Sequence, residues 1–265
     1  MKLLLVNADD AGLHAESDAA ILACGRTGLL RNATVIVGGP TAQQFLRNAP
    51  QAGIDAGLHL NLTHGRALAG PASTLTDAKG RFFQPKSEVW RRAVADELDF
   101  AQVRAEVEAQ LDAFRSSGLE PSHVDGHNHV HLFPAVSEAL ADLLPDVWFR
   151  TPEERHCGEE VLPSLGSALA RWAASREGPW SRTEAFAGHR FCVQPALEGF
   201  LSALEEDART TEFMVHPGQR PGSPFGEAVE RAREVEVLCS KELRVALVTR
   251  GYESITFREA TARCA

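Results

Sequence analysis

The stretch His123-Val-Asp-Gly-His-Asn-His-Val-His131 contains four of the ten histidines of this 265-residue chain, and it marks a junction between a strand and a helix. Residues 122–125 form a short strand-like run, whereas Pro134 opens a helical run that continues to Leu144. In parallel α/β folds, catalytic groups collect where strands end and helices begin. Imidazole is also a common ligand of borderline metals and the usual proton carrier near neutral pH. We therefore predict a functional site at this junction, with a solvated histidine-rich turn as the alternative.

Short strand-like runs alternate with helical runs along the rest of the chain. Predicted strands span 3–7, 33–37, 55–63, 122–125, 147–150 and 212–216, and predicted helices span 17–25, 103–116, 134–144 and 224–242. Such alternation is typical of βαβ units with a mostly parallel sheet. Roughly seven or eight units in this length favour a barrel over an open sheet. We expect a single α/β domain over residues 1–265, namely a distorted (β/α) barrel with parallel strands that is either complete or incomplete.

Two segments lack a clean period and are predicted to be loop insertions. The segment near 65–90 is rich in Gly, Pro and polar residues, and we expect it to lie over the site or toward a partner. The segment near 151–195 contains a helical run at 161–174 and is expected to cover one edge of the fold. Long ordered loops in compact domains usually serve a function, often as lids.

Composition and charge narrow the class of protein and its partners. Hydrophobic residues make up 44% and charged residues 24% of the chain, which is ordinary for a globular protein. The net charge of -9 argues against nucleic acids and anionic membranes as partners. The apolar runs are too short for a membrane span or a signal-peptide core. The five scattered cysteines form no C-x-x-C pair and are typical of reduced thiols. We expect a cytoplasmic protein that acts on a small substrate, and the sequence leaves open whether it forms a homodimer.

The first predicted strand ends in paired acids, Asn7-Ala-Asp9-Asp10, and Gly12 permits a tight turn directly after them. Two adjacent carboxylates repel each other unless a cation or a shared proton compensates. A divalent metal bound by one aspartate would leave the other free as a base. A helix N-cap beside a surface acid is the alternative.

Two further strand ends carry histidine. In Gly57-Leu-His59-Leu-Asn61-Leu-Thr63, the three polar side chains share one face of an alternating strand. His216 follows a β-rich run and precedes a Pro-Gly turn, where it is placed to give or take a proton. The alternatives are a core imidazole satisfied by a carbonyl group and a plain turn histidine.

Within the histidine-rich stretch, His127 is placed to reach a metal while Asp125 orients a neighbouring imidazole. His127 and His131 have the i, i+4 spacing that puts two imidazoles on one helical face. Pro134 indicates, however, that the helix begins after His131. We therefore expect His129 and His131 to support the metal ligands or to contact substrate.

Four stretches, in this order, resemble the YdjC-like carbohydrate deacetylases. They are Val-Asn-Ala-Asp-Asp-Ala-Gly-Leu at 6–13, Gly-Leu-His-Leu-Asn-Leu-Thr at 57–63, His-Val-Asp-Gly-His-Asn-His-Val-His-Leu-Phe-Pro at 123–134 and Glu-Phe-Met-Val-His-Pro-Gly at 212–218. The resemblance implies a distorted (β/α) barrel, one divalent cation and the removal of acetyl groups from N-acetylated amino sugars such as chito-oligosaccharides. The implied reaction is attack of a metal-bound water on the acetamide carbonyl. Zinc suits imidazole ligands and magnesium prefers oxygen ligands, so the cation is either Mg²⁺ or Zn²⁺.

By the same likeness, the metal ligands fall on Asp10, His59 and His127, the base on Asp9 and the acid on His216. The chain departs from the family at two places. Ala11 stands where members usually carry phenylalanine, and the segment 151–195 does not align.

Around this centre we expect Asn61 and Arg150 to join the residues that support the ligands or contact the sugar. Arg150 would hold Asp9 ionised or bind the sugar, and a plain surface arginine is the alternative.

Two other classes of function stay open. One is a metal-dependent sugar isomerase or phosphoesterase on the same barrel, and the other is a non-catalytic protein that binds a metal or a sugar.

Overall fold

The structure is a computed structural model that describes residues 1–154, 180–218 and 228–264. The predicted helical run at 161–174 and the first four residues of the predicted helix 224–242 lie outside these described residues. Within the described ranges, no helix is both long enough and apolar enough to cross a membrane.

The described strands form one eight-stranded sheet in which every strand pair is parallel. The strands are β1 (Lys2–Ala11), β2 (Asn32–Val35), β3 (Asp55–Leu60), β4 (His123–Gly126), β5 (Trp148–Phe149), β6 (Ala185–Ala187), β7 (Thr210–Val215) and β8 (Tyr252–Ser254). Their order is β5-β4-β3-β2-β1-β7-β6, and β8 pairs with the amino-terminal end of β1. Backbone hydrogen bonds of Ser181 with Val147 and Phe149 extend the sheet beyond β5. The predicted fold class, a distorted (β/α) barrel with parallel strands, is confirmed.

Ten α-helices lie in the described part of the chain. They are α1 (Ala15–Arg26), α2 (Ala42–Asn48), α3 (Ser87–Val94), α4 (Phe100–Arg115), α5 (Pro134–Leu143), α6 (His189–Val193), α7 (Leu197–Ser202), α8 (Ala228–Cys239), α9 (Lys241–Thr249) and α10 (Phe257–Cys264). Two 3₁₀ segments span Pro50–Ala52 and His127–Leu132.

Burial explains why the strongest sequence patterns form these elements. The central strand β1 has fully buried residues on both faces, as expected for a parallel strand covered on both sides. Helix α4 buries Val103, Val107, Leu111 and Phe114, which recur at helical spacing along one face. Its first turn is capped by Asp99, whose side chain accepts a hydrogen bond from the backbone N–H of Gln102.

Three predicted elements differ from the structure. The strand predicted at 55–63 ends at Leu60, because the Asn61 side chain folds back onto the backbone of the next turn. The helix predicted at 224–242 is two helices in its described part, because the Ser240 side chain caps the start of α9. The segment 151–195, predicted as a loop, contributes β6 and α6 among its described residues. A three-residue strand gives no period by which it could be recognised.

The segment near 65–90 is largely irregular, as predicted, but it ends in the first residues of α3. Two isolated antiparallel bridges, Arg66 with Arg81 and Thr76 with Phe82, hold it together. The buried carboxylate of Glu106 on α4 accepts hydrogen bonds from the backbone N–H groups of residues 68 and 69. This segment is therefore anchored to α4 while its later part reaches the rim of the cleft described next.

Candidate active site

A cavity of about 580 Å³ opens at the carboxyl ends of β1, β3, β4 and β7. Six residues predicted to belong to the site line it, namely Asp9, Asp10, His59, His127, His129 and His216. The carboxyl ends of parallel strands meet at one end of a barrel, so residues far apart in sequence converge there. The location of the site thus follows from the topology of the sheet.

The end of β1 is irregular in a way that turns both acids toward this cavity. Neighbouring residues of a regular strand point to opposite faces. Asp10, however, has a left-handed backbone with φ of 64°, and the pairing of β1 with β2 shifts register between Ala8 and Ala11. Gly12 follows with φ of 92°, a conformation that favours glycine and forms the predicted tight turn. Both Asp9 and Asp10 therefore line the same cavity.

The histidine-rich stretch also depends on left-handed residues. Asn128 and His129 have φ of 55° and 56°, and α5 begins only at Pro134. As predicted from that proline, His127 and His131 do not share a helical face. The turn instead brings Nδ1 of His127 to 2.8 Å from Oδ1 of Asp10.

Asp10, His59 and His127 together form a candidate centre for a divalent metal. Oδ1 of Asp10 lies 2.8 Å from Nδ1 of His127 and 3.3 Å from Nε2 of His59. One ligand atom from each residue lies within 4.8 Å of the others. A carboxylate with two imidazoles is a donor set that suits divalent cations and leaves coordination positions open. These side chains therefore fit the cation that the sequence predicts.

Asp125 holds the ring of His59 from the side opposite Asp10. Nδ1 of His59 donates to Oδ1 of Asp125 at 2.6 Å, and Thr34 Oγ1 donates to Oδ2 of the same carboxylate at 3.0 Å. This contact fixes the ring tautomer and aims Nε2 at Asp10. Burial lowers the pKa of His59, but neighbouring carboxylates, Asp125 first, raise it to about 10. A cation at Nε2 must therefore displace a proton.

Arg150 is the buried cation of the cleft. The residue is 2% exposed and contacts three carboxylates, which excludes a surface role. Nη1 and Nη2 donate to the two oxygens of Asp9 at 2.6 and 2.7 Å, while Nη2 also lies 2.7 Å from Asp125 and Nε donates to Glu212 at 2.6 Å. Burial raises the pKa of Asp9, but Arg150, together with His59 and His216, holds it below its ordinary value. Asp9 is therefore ionised at neutral pH.

His216 lies just beyond β7 and faces Asp9 with one ring nitrogen. Its Nε2 is 3.9 Å from Oδ2 of Asp9, while its Nδ1 is 3.2 Å from Sγ of Cys192. Its backbone N–H donates to Oε2 of Glu234 at 2.5 Å. Burial lowers the pKa of His216, and this effect outweighs the opposite influence of Asp9 and Asp10. A lowered pKa makes the protonated ring a stronger acid.

The remaining predicted residues divide between the cavity wall and its support. His129 lines the cavity. Asn61 instead accepts hydrogen bonds from the backbone of the turn after β3, and His131 is fully buried with Nε2 donating to the carbonyl of Arg150 at 3.2 Å. The polar atoms of Asn61 therefore serve the backbone, His131 is held through Nε2 alone, and neither side chain is among those that line the cavity.

Several residues of the site were not singled out from the sequence. Glu212 was detectable, because it alternates with Met214 and His216 on one face of β7. Arg231 was not, because α8 has no motif that marks one of its cations as special. It nevertheless donates from Nη2 to Oδ2 of Asp10 at 3.1 Å.

Fold and site together define a parallel α/β barrel with carboxylates and imidazoles gathered at the carboxyl ends of its strands. The chain belongs to the YdjC-like protein family, whose model matches residues 3–248.

Relatives and solved structures cover nearly the whole chain. A protein from Mus musculus named carbohydrate deacetylase is 33% identical over 287 residues, covering 94% of this chain and 92% of the relative. A protein from Proteus mirabilis (strain HI4320) named chitooligosaccharide deacetylase is 28% identical over 264 residues, covering 97% and 98%. A solved crystal structure from Enterococcus faecalis V583 has a TM-score of 0.78 at 20% identity, and the match covers 98% of both chains. A role in cellobiose-phosphate cleavage has been suggested for that protein. This last likeness shows the fold.

Proposed function

We propose that this protein is a metal-dependent carbohydrate deacetylase that removes acetyl groups from N-acetylated amino sugars. The observation that carries the proposal is the convergence of Asp9, Asp10, His59, His127 and His216 on one cavity. A hydrolase of amides needs a metal site, a base and an acid within reach of one substrate. The relatives named carbohydrate and chitooligosaccharide deacetylase support the choice of substrate class.

Asp10, His59 and His127 would hold the cation, with Arg231 bonded to the second oxygen of Asp10. When bound, a divalent cation polarises a carbonyl oxygen and lowers the pKa of water. The cation is Mg²⁺ or Zn²⁺ in this proposal, and elemental analysis of the purified protein distinguishes the two. Asp125 keeps His59 in the tautomer that a metal ligand requires.

Asp9 acts as the base in this proposal. Arg150 holds both of its oxygens in a bidentate contact, and Asn7 Nδ2 donates to Oδ1 at 2.9 Å. These bonds keep the carboxylate ionised and fix its direction toward the cavity. Asp9 accepts the proton of the attacking water as the acetamide carbonyl becomes tetrahedral.

His216 acts as the acid. The amine must leave in neutral form, so the nitrogen of the sugar needs a proton as the C–N bond breaks. Nε2 of His216 faces the cavity on the side of Asp9, while Cys192 and Glu234 hold the other ring nitrogen and the backbone. A base and an acid that face the same cavity are the arrangement that amide hydrolysis requires.

The cavity also suits a sugar. Its volume of about 580 Å³ falls within the roughly 300–1,000 Å³ of small-ligand sites. The segment near 65–90 supplies Lys86, whose Nζ donates to Oδ1 of Asn128 at 2.7 Å, and Asn128 in turn donates to Thr63 Oγ1 at 2.9 Å. These polar groups form a rim that can hydrogen-bond hydroxyl groups.

The test is acetate release from di-N-acetylchitobiose, measured with the metal-loaded protein and after rigorous chelation. We expect release that stops on chelation and returns when a divalent cation is added. Acetate release that persists without metal would refute the metal-dependent mechanism. The absence of acetate release from every acetylated amino sugar tested would favour the isomerase, phosphoesterase or non-catalytic alternatives.

The role of Asp9 is tested by Asp9→Asn. The amide keeps the shape of the side chain but cannot accept the proton, so we expect kcat to fall by about 10²–10⁴-fold while bound metal is retained. Steady-state kinetics and elemental analysis on the same preparation measure both quantities. The control is Asp112→Asn, an exposed position of α4, which should keep the wild-type rate. A near-normal kcat in Asp9→Asn would exclude this residue as the base.

A further inference from the structure

A second cluster of metal-ligand side chains lies on the other side of the His216 ring. It consists of Cys192 on α6, His216 after β7 and Glu234 on α8, and we call it the thiol cluster. One ligand atom from each residue lies within 4.8 Å of the others. The cluster shares His216 with the proposed active site but contains none of the three proposed metal ligands there.

The carboxylate of Glu234 points to a ligand in this cluster. Glu234 is 1% exposed, and its Oε2 accepts the backbone N–H of His216. Its Oε1 is buried and has no hydrogen-bond partner among the described residues. A buried polar atom without a partner is unfavourable, so such atoms usually mark a bound ion or water.

The spacing and charge of the cluster suit zinc. Zinc–sulfur and zinc–nitrogen bonds of about 2.3 and 2.0 Å place tetrahedral sulfur and nitrogen ligands roughly 3.5 Å apart. Sγ of Cys192 lies 3.2 Å from Nδ1 of His216, close to that separation. A thiolate, a neutral imidazole and a carboxylate together balance the charge of one divalent cation. Magnesium, which prefers oxygen ligands, does not suit this donor set.

We propose that Cys192, His216 and Glu234 form a second metal site that binds Zn²⁺ and inhibits the enzyme. Binding breaks the S–H bond of Cys192, whose proton passes to solvent, and forms a bond from the thiolate to zinc. Zinc on Nδ1 occupies the lone pair that must carry a proton when the ring is an imidazolium. His216 then cannot act as the acid.

The inhibitory consequence rests on the proposed deacetylase function, whereas the metal site itself does not. The site is tested with Co²⁺, because a cobalt–thiolate bond gives a charge-transfer absorption in the near ultraviolet. The centre formed by Asp10, His59 and His127 has no sulfur ligand, so it does not contribute to this absorption. Cysteine variants then show which thiol binds the cobalt. In the wild-type protein, we expect this absorption to saturate when one cobalt ion per protein molecule is bound through a thiolate.

Cys192→Ser keeps a hydroxyl group beside His216 but replaces the sulfur ligand, so we expect the absorption to disappear. Cys239→Ser is the matched control, since Cys239 lies beside Cys24, with the two sulfur atoms 3.6 Å apart, outside the cluster. It should retain the absorption in full. The absence of the absorption in the wild-type protein, or its persistence in Cys192→Ser, would overturn the proposal.

Glu234→Gln gives a second measurement of the site. The amide oxygen can still accept the N–H of His216, but the charged ligand is lost, so we expect cobalt affinity to fall by at least tenfold. Unchanged affinity would remove Glu234 from the site.

The inhibitory role is tested by zinc titration of acetate release, each protein being compared with its own zinc-free rate. We expect inhibition of the wild-type protein and of Cys239→Ser, and at least tenfold weaker inhibition of Cys192→Ser. Equal inhibition of all three would overturn the inhibitory role. If the protein releases no acetate at all, the deacetylase proposal fails, and the cobalt titration still decides whether the metal site exists.

Discussion

At the residue scale, the cleft depends on one guanidinium that is shared by three carboxylates. Arg150 contacts Asp9, Asp125 and Glu212 while almost fully buried. Burial raises the pKa of Glu212 to about 7, although Arg150 opposes this rise. A proton on Glu212 thus relieves part of the negative charge that one guanidinium cannot balance by itself. Removing the arginine would leave buried carboxylates without a partner.

Arg150→Met is therefore expected to lower the free energy of unfolding by about 3–5 kcal/mol, the usual loss when one partner of a buried ion pair is removed. Urea denaturation of both proteins measures the difference. The matched control is Arg91→Met, since Arg91 also contacts two carboxylates, Glu88 and Glu97, but on the surface. That control should change stability little, and equal losses in the two variants would contradict the argument from burial.

Glu234 gives a prediction about pH. Burial, opposed by the backbone N–H of His216 and by Arg231, raises its pKa from 4.5 to about 8. The folded protein thus binds this proton more tightly than the unfolded chain does. The resulting stability is complete below the unfolded pKa of 4.5 and is lost as the pH rises through about 8.

In metal-free protein, we therefore expect Glu234→Gln to remove part of the fall in unfolding free energy across this pH range. Urea denaturation at several pH values compares the two proteins, so contributions from other groups cancel. Identical pH slopes would show that Glu234 does not hold its proton in the folded state.

At the scale of elements, strong periodic patterns were predicted well and short ones were missed. The helices α4 and α5 and the strands β1, β3, β4 and β7 were placed to within a few residues, because each repeats its apolar positions along one face or fills the core. The strands β6 and β8 have three residues each, which is too few for a period. The break at Ser240 was missed because good helix formers stand on both sides of it.

The break between α8 and α9 yields a prediction at this scale. Ser240 Oγ accepts the backbone N–H of Leu243, so Ser240→Ala should lower the free energy of unfolding by about 1 kcal/mol. Ser240→Asp is the matched control, because aspartate is an equally good N-cap and should retain most of the stability. Thermal or urea unfolding measures both, and equal behaviour of the two variants would exclude capping as the cause.

At the scale of the whole molecule, the proposed centre joins parts of the chain that are distant in sequence. Asp10 and His127 lie 117 positions apart and meet because β1 and β4 end on the same side of the barrel. The alternation of strands and helices predicted that strand ends meet, and the resemblance of four motifs to the YdjC-like family predicted which residues do so. The contacts of Arg231 and of the thiol cluster were not predictable, because they depend on how α6 and α8 pack beside β7.

A cation that bridges these segments should stabilise the entire fold. At a free concentration 100-fold above Kd, binding to the folded state alone raises the free energy of unfolding by about 2.7 kcal/mol. We expect thermal unfolding to shift upward with the divalent cation and to return with chelator. The measurement uses proteins that carry Cys192→Ser, so that the thiol cluster does not contribute. Addition of Asp10→Asn should abolish the shift, and an unchanged shift would place the cation elsewhere.

The position of the paired acids within the sheet has a consequence for how the cleft meets its substrate. β1 lies between β7 on one edge and β2 and β8 on the other, so it is tethered along both sides. The free energy needed to bring two like charges together at the end of β1 is supplied when the polypeptide folds. Arrival of an acetylated sugar then demands no reordering of Asp9 or Asp10. Binding energy from the remote parts of the sugar can then be used to align the bond that is broken.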